Sequence, residues 1–322
     1  MREMENCGIL NIFIHPEAFI VELNSFQEKL TNILPQIELR FNEPMSRHTS
    51  FRIGGAAEAM AFPKSEAELS QLLKVSGELD ISYAILGAGT NVLAPDEGVP
   101  GLVICLKDCL GGIKLVESSR LRVMAGVTMS RAAVFAANHG LSGLEFAHGI
   151  PGTVGGGVYM NAGAYGGEIS QVCVEAAVMD RARQLHIRSR AEMDFRYRRS
   201  CLEETGEIVT SAVFQLTAAP AEEIRQRMKE LQARRLASQP LDYPSAGSAF
   251  KRPIGGYAAA LIDQAGLKGY RVGNAAISQK HAGFAINLGG ATAADVKALL
   301  SQVSESVYEN SGIRLEPEIR IW

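Results

Sequence analysis

A chain of 322 residues, 47% hydrophobic and 21% charged with a formal net charge of −3, reads as a soluble globular protein long enough for two or three domains. No basic excess argues for nucleic acid and no long run of like charge argues for a tail, although a few local cations would still hold a small anion. Five scattered cysteines (Cys7, Cys105, Cys109, Cys173 and Cys201) without a C-x-x-C pair make a poor disulfide framework and a poor zinc site, so free thiols, a reducing cytoplasm and no metal are expected.

The N-terminus carries Glu3 and Glu5 before an apolar run broken by Asn11 and His15, which is not the basic start of a signal peptide. Residues 1–34 read as an extension, with a short strand over Ile9–Ile14 and a helix over Pro16–Leu34. From Pro35 strands and helices alternate. Ser65 followed by Glu68 has the spacing of a capping box and opens a helix to about Leu79. Tyr83–Leu86 is a short apolar strand that runs straight into GAGTN, Gly87–Asn91. Leu102–Leu106 and Leu121–Ala125 read as strands, and Thr128 caps a helix closed at Gly140. Cys173–Met179 and Ile208–Leu216 are further strands, completing an α+β region. Near Pro220 the composition shifts to a charged helix over Ala221–Ala237 with Ile224, Met228 and Leu231 on one side. A helix over Tyr257–Ala265 and a strand over Phe284–Leu288 follow. Thr292 and Asp295 open a last helix whose Val296, Leu299, Leu300, Val303 and Val307 form a core stripe, and Ile313–Trp322 is expected as a final strand.

The most informative stretch is Gly149–Gly167, GIPGTVGGGVYMNAGAYGG, dense in glycine and free of charge. Its apolar residues do not suit a flexible linker, and Pro151, Asn161 and the glycines do not suit a spanning helix. The expectation is a loop whose backbone N–H groups converge on a ligand. Neither this stretch nor GAGTN matches the dinucleotide fingerprint G-x-G-x-x-G or a P-loop. Two separate cradles nevertheless suit a ligand with a diphosphate and two ends. Thr90 and Asn91 either donate to it or merely shape a turn. Four polar clusters remain: FRYRRS at Phe195–Ser200, SAGSAFKRP at Ser245–Pro253, SQKH at Ser278–His281, and the Glu316/Glu318 pair whose alternation points both carboxylates to one face of the last strand. No G-x-S-x-G elbow makes Ser248 a hydrolytic nucleophile.

Taken in order, RHTSFRIGG, LGAGTNVL, the glycine stretch, FRYRRS, AGSAFKRP, LIDQAGLKGYRVG with SQKHAGFAIN, and LEPEIRI resemble the UDP-N-acetylenolpyruvoylglucosamine reductases, in their type II form, from about Pro35 to Ile321. The resemblance implies an FAD-binding α+β fold of the PCMH/vanillyl-alcohol-oxidase type. It would comprise an FAD region at 35–219, in two subdomains joined by the tail 313–322, and a C-terminal α+β substrate domain at 220–312. FAD, held without a covalent link, would contact Arg52, Gly87, Ala88, Gly89, Thr90, Asn91, Gly152, Thr153, Gly155, Gly156 and Asn161. Arg198 would stabilise developing negative charge, Ser248 would donate a proton and Glu318 would assist. Tyr197, Lys251, Arg252 and His281 would contact the substrate. The implied reaction is NADPH-dependent reduction of UDP-N-acetylglucosamine enolpyruvate to UDP-N-acetylmuramate for peptidoglycan, by a cytoplasmic monomer with no nucleic-acid or membrane partner. His148, which precedes the glycine stretch, is read as structural although some flavin oxidases of this fold attach FAD to a histidine. The short chain beyond Glu318 is expected to loosen the strand that carries it. Two other readings stay open: an FAD-linked oxidase of a small alcohol or sugar, and a non-catalytic nucleotide-binding module.

Overall fold

The computed structural model describes residues 26–322, and the chain divides into two compact units, Met1–Gln36 and Ile37–Trp322. In the first unit residues 26–33 are helical; the strand expected at 9–14 and the start of the helix expected over 16–34 lie outside the described residues. Among the described residues no helix is long and apolar enough to cross a membrane.

The second unit is built on three larger sheets. The first contains β1 (Glu38–Pro44), β2 (Ala56–Phe62), β3 (Tyr83–Leu86) and, beyond the two-residue β4 (Val92–Leu93), β5 (Val99–Cys105). Their order is β1-β2-β5-β3, with β1 antiparallel to β2 and β5 parallel to both its neighbours. An inner parallel strand is covered on both faces, which accounts for the unbroken apolar run Leu102–Cys105. Helix α1 (Glu66–Glu78) begins as its cap residues dictate, Ser65 Oγ accepting the Glu68 N–H at 3.1 Å. The Glu68 carboxylate reaches one residue further than a capping box requires, to the Lys64 N–H at 2.7 Å.

The second sheet is antiparallel: β6 (Ile113–Glu117), β7 (Arg120–Met124), β8 (Cys173–Met179), β9 (Leu185–Ser189) and β10 (Ile208–Gln215) in the order β9-β8-β10-β7-β6. Helix α2 (Met129–Asn138), capped by Thr128, follows β7. The middle of the glycine stretch is not the open loop expected but a helical turn, α3 (Val154–Tyr159), whose N-cap Thr153 accepts the Gly156 N–H at 3.3 Å. Glycine is a poor helix former, yet packing requires it here. A Cβ on Gly155 would sit 2.9 Å from the Ala125 Cβ, and one on Gly157 would sit 2.9 Å from the Met129 sulfur.

After α4 (Ala221–Ser238) comes the third sheet. Its strands are β11 (Ser245–Ser248), β12 (Arg271–Val272), β13 (Ala275–Ile277) and β14 (Phe284–Asn287), antiparallel in the order β11-β14-β13-β12. Helices α5 (Ala258–Gln264) and α6 (Ala293–Ser311) accompany it. The Thr292/Asp295 capping box forms in both directions, and Gly312 ends α6 at φ 70°. The stripe Val296, Leu299, Leu300, Val303 and Val307 is buried in one cluster with Phe51, Ile53 and Leu93. At about 1.5–3 kcal/mol per such side chain, that burial outweighs the caps and decides where α6 docks.

The final strand expected over 313–322 is reduced to β15 (Arg320–Ile321), parallel to β4. The tail divides its hydrogen bonds between two neighbours. The Lys251 N–H donates to Glu316 O at 2.8 Å and the Glu318 N–H to Ala249 O at 2.9 Å. Two residues on, the Arg320 N–H donates to Asn91 O at 2.9 Å and the Trp322 N–H to Leu93 O at 3.1 Å. Pro317, at the crossover, has no N–H to give. The tail is pinned rather than loosened.

Candidate active site

The strand-to-turn step at Leu86–Gly87 and the start of α3 face one cavity of about 550 Å³. Thr90 Oγ1 donates to Pro151 O at 2.8 Å, and a Cβ on Gly87 would fall 2.6 Å from Thr153 Oγ1, so the two glycine turns lie side by side. Gly89 is confined by φ 61° and by the His48 carbonyl, which a Cβ would approach to 2.0 Å. Gly87, Ala88, Gly89, Thr90, Asn91, Gly152, Thr153, Gly155 and Gly156 all line this cavity. Among the described residues the amides of Ala88, Gly89, Thr90, Asn91, Gly152 and Thr153 have no acceptor in the protein. Backbone N–H groups left open on two adjoining turns fit an anionic group such as a diphosphate.

The side chains of Thr90 and Asn91 shape turns: Asn91 Nδ2 donates to Glu318 O at 3.0 Å. Arg52 is exposed at φ 56° and Asn161 is buried, and neither lines this cavity. His148 lies outside the cavity wall as well, with a buried Nδ1 that has no partner among the described residues. Tyr159, Arg320 and Trp322 line the cavity without having been singled out from sequence. Only the tail's return to β4 brings the last two there, and nothing local in the sequence signals that return.

A second cavity of about 530 Å³ gathers Tyr197, Arg198, Ser248, Arg252, His281 and Glu318, six of the seven residues expected to act on substrate. Arg198 Nε donates to Glu318 Oε1 at 2.7 Å and its Nη2 to Gly163 O at 3.0 Å. Both side chains are largely buried, at 19% and 11% exposure. Glu316 and Glu318 do not share a face: Glu316 points to solvent and pairs with Lys251, the seventh residue, outside the cavity lining. Burial pushes the Glu318 carboxyl above the usual carboxylate range, against the pull of the Arg198 guanidinium. The Ser248 hydroxyl has no partner among the described residues and stands at the exposed end of β11. Tyr197 Oη accepts the Arg252 N–H at 3.2 Å, and the Arg252 guanidinium lies 3.8 Å above the Tyr257 ring. His281 is pushed below its ordinary value, first by burial and then by the Lys268 charge. Its Nδ1 accepts the Gly283 N–H at 3.1 Å, which fits a neutral imidazole. The cavity thus offers two guanidiniums, a free hydroxyl and a carboxyl of raised proton affinity, next to a cradle for a phosphorylated cofactor.

The remaining thiols have no such setting. Cys105 is pushed up to about 11 and Cys173 to about 12, both by burial.

Comparison with known proteins places this arrangement. Residues 57–186 match an FAD binding domain, and residues 239–322 match the C-terminal domain of UDP-N-acetylenolpyruvoylglucosamine reductase. The chain is 47% identical over 294 residues to the reductase of that name from Caldanaerobacter subterraneus, covering 91% of this chain and 97% of the relative. It is 45% identical over 308 residues to the Agathobacter rectalis reductase, covering 92% and 98%. The crystal structure of the Thermus caldophilus reductase superposes with a TM-score of 0.76 at 37% identity, covering 89% of this chain and 99% of that one. The fold is the FAD-binding α+β fold that the motifs implied. Identity of this depth along nearly the whole of each relative makes the chain a member of the UDP-N-acetylenolpyruvoylglucosamine reductase family.

Proposed function

We propose that the second cavity is the reaction chamber of this reductase, with Arg198, Ser248 and Glu318 as its reacting side chains. The chain is an FAD-dependent oxidoreductase that reduces UDP-N-acetylglucosamine enolpyruvate, with NADPH as reductant, in peptidoglycan precursor synthesis. One observation carries the residue assignment: a buried Arg198–Glu318 pair beside an unpartnered Ser248 hydroxyl, in a cavity next to the amide-lined one.

When bound, FAD supplies a hydride to the vinyl CH2 of the substrate. Charge then builds on the neighbouring carbon and its carboxylate, where the Arg198 guanidinium, fixed by Glu318 and Gly163, stabilises it. Ser248 Oγ–H donates its proton to that carbon. Glu318 holds Arg198 in place. Arg252 and Tyr197, joined at the Arg252 amide, hold the sugar nucleotide, and neutral His281 presents Nε2–H to it. The open amides at 88–91 and 152–153 take the FAD diphosphate, and Gly155 and Gly156 keep the wall low enough for its approach. FAD is bound without a covalent link, consistent with His148 standing outside the cavity wall. We further read the FAD region as 35–219 with the tail 313–322, the substrate domain as 220–312, and the enzyme as a cytoplasmic monomer.

Anaerobic stopped-flow spectroscopy separates the two half-reactions. In Arg198→Lys and in Ser248→Ala, bleaching of the flavin by NADPH should persist. Return of the oxidised band on adding the enolpyruvyl substrate should slow by about 10²–10³-fold. Normal return in both variants would remove these residues from the chemistry.

A further inference from the structure

We infer that Asn161 is a positioning residue for Arg198, setting the turn that carries the guanidinium, rather than a ligand of FAD. The inference rests on the reading of Arg198 as the charge-stabilising group.

Arg198 sits in a four-residue turn closed by the Arg196 and Arg199 backbones, with the Arg196 N–H to Arg199 O at 3.0 Å and the Arg199 N–H to Arg196 O at 3.2 Å. Its φ is 54°, the left-handed region that a side chain enters only under constraint. The constraint comes from residues 159–163, which run between the two cavities. Ser200 Oγ donates to Tyr159 O at 2.6 Å, Asn161 Nδ2 to Arg196 O at 3.0 Å, and Arg198 Nη2 to Gly163 O at 3.0 Å. Tyr159, Met160 and Ala162 line the cofactor cavity, and Gly163 lines the reaction chamber. Asn161 is the one side chain of this segment inserted beneath the turn. It is 1% exposed, and its Oδ1 accepts the Ser170 N–H at 2.9 Å. Both ends of the carboxamide are therefore engaged inside the protein, as burial of an amide requires. Asparagine also suits its own φ of 45°. Loss of the Nδ2–H would leave the Arg196 carbonyl with only the Arg199 N–H, release the turn from residue 161 and let it relax towards an ordinary backbone. That relaxation moves Arg198 while leaving the amides of the cofactor cradle where they are.

Asn161→Asp keeps the shape and the acceptor for Ser170 but replaces the donor facing Arg196 O. With FAD-loaded enzyme, FAD retention and the rate of bleaching by NADPH should stay within about twofold of the parent. Return of the oxidised band with the enolpyruvyl substrate should slow about tenfold or more. Combined with Arg198→Lys, the loss should not exceed that of Arg198→Lys alone, because the first change acts through the second residue. Ser200→Ala, which removes a second strap from the same turn, should show the same selective slowing and serves where Asn161→Asp does not fold. Weakened FAD retention with normal oxidation per bound flavin would overturn the inference and make Asn161 a cofactor ligand. Additive losses in the double variant, or normal oxidation in Ser200→Ala, would overturn it too. If Arg198→Lys itself leaves oxidation unchanged, the underlying assignment fails and takes this one with it.

Discussion

A left-handed backbone costs a non-glycine residue about 1–2 kcal/mol, and Arg198 holds it where its side chain lines the second cavity. Removing one member of a buried pair leaves the other uncompensated, so Glu318→Ala should harm the protein more than Glu318→Gln. The chamber's two perturbed groups also give stability a defined pH dependence. The proton affinity of His281 is lower folded than unfolded. Its contribution is therefore present above the ordinary value of 6.5 and is lost as pH falls through the lowered folded value. Glu318 has the opposite sign: its contribution is present below the ordinary 4.5 and is lost as pH rises through the raised folded value. Urea midpoints measured from pH 5 to 7.5 should fall less on acidification in His281→Asn, which keeps an acceptor for the Gly283 amide, than in the parent. Equal slopes would mean that His281 is not desolvated.

At the scale of elements, the glycine stretch separates into packing and approach. Gly89→Ala should prevent the 87–91 turn from forming, because its Cβ would strike the His48 carbonyl at 2.0 Å. At Gly156 a Cβ would come no closer than 3.5 Å to Thr153 Oγ1, within a helix that alanine favours over glycine by up to about 1 kcal/mol. Gly156→Ala should therefore match or exceed the parent in thermal stability as the apoprotein while binding FAD more weakly. A normal FAD affinity, measured by fluorescence titration, would show that the cofactor does not approach α3 closely. The capped helices and the strands rich in branched or large apolar residues were legible in the sequence to within a few residues, because caps such as Ser65 and Thr292 and runs such as Tyr83–Leu86 carry their own signals. The missed strands lack such signals. In β6 and β9 most side chains face solvent, and the alanine-rich β2 reads no more like a strand than like a helix. Helix α3 was hidden by glycines that α3 keeps for its neighbours Ala125 and Met129. The assignment proposed for Arg198, Ser248 and Glu318 came from the order of the motifs, since no local pattern distinguishes Arg198 from the arginines beside it.

For the whole molecule, the core around α6 draws in the segment between β1 and β2 and the short β4. It includes Phe51, Ile53 and Leu93, and Asn287 Nδ2 donates to Phe51 O at 3.0 Å. Residues 246–307 thus share their core with the 51–93 segment, a union that composition along the chain does not reveal because the partners are far apart in sequence. The tail extends that union to both cavities, through Glu318 in one and Arg320 and Trp322 in the other. That feature bears on how the enzyme comes into being. The cofactor turns meet across 61 residues at Thr90 and Pro151, whereas Glu318 reaches Arg198 across 120 and Asn91 across 227. Joining distant segments costs more loop entropy and is slower. On dilution from denaturant, FAD capture, read by quenching of flavin fluorescence, should return before turnover does. A single shared rate for both would mean that the tail docks as early as the turns meet. Otherwise there is an interval in which the newly formed protein already holds its flavin and cannot yet use it.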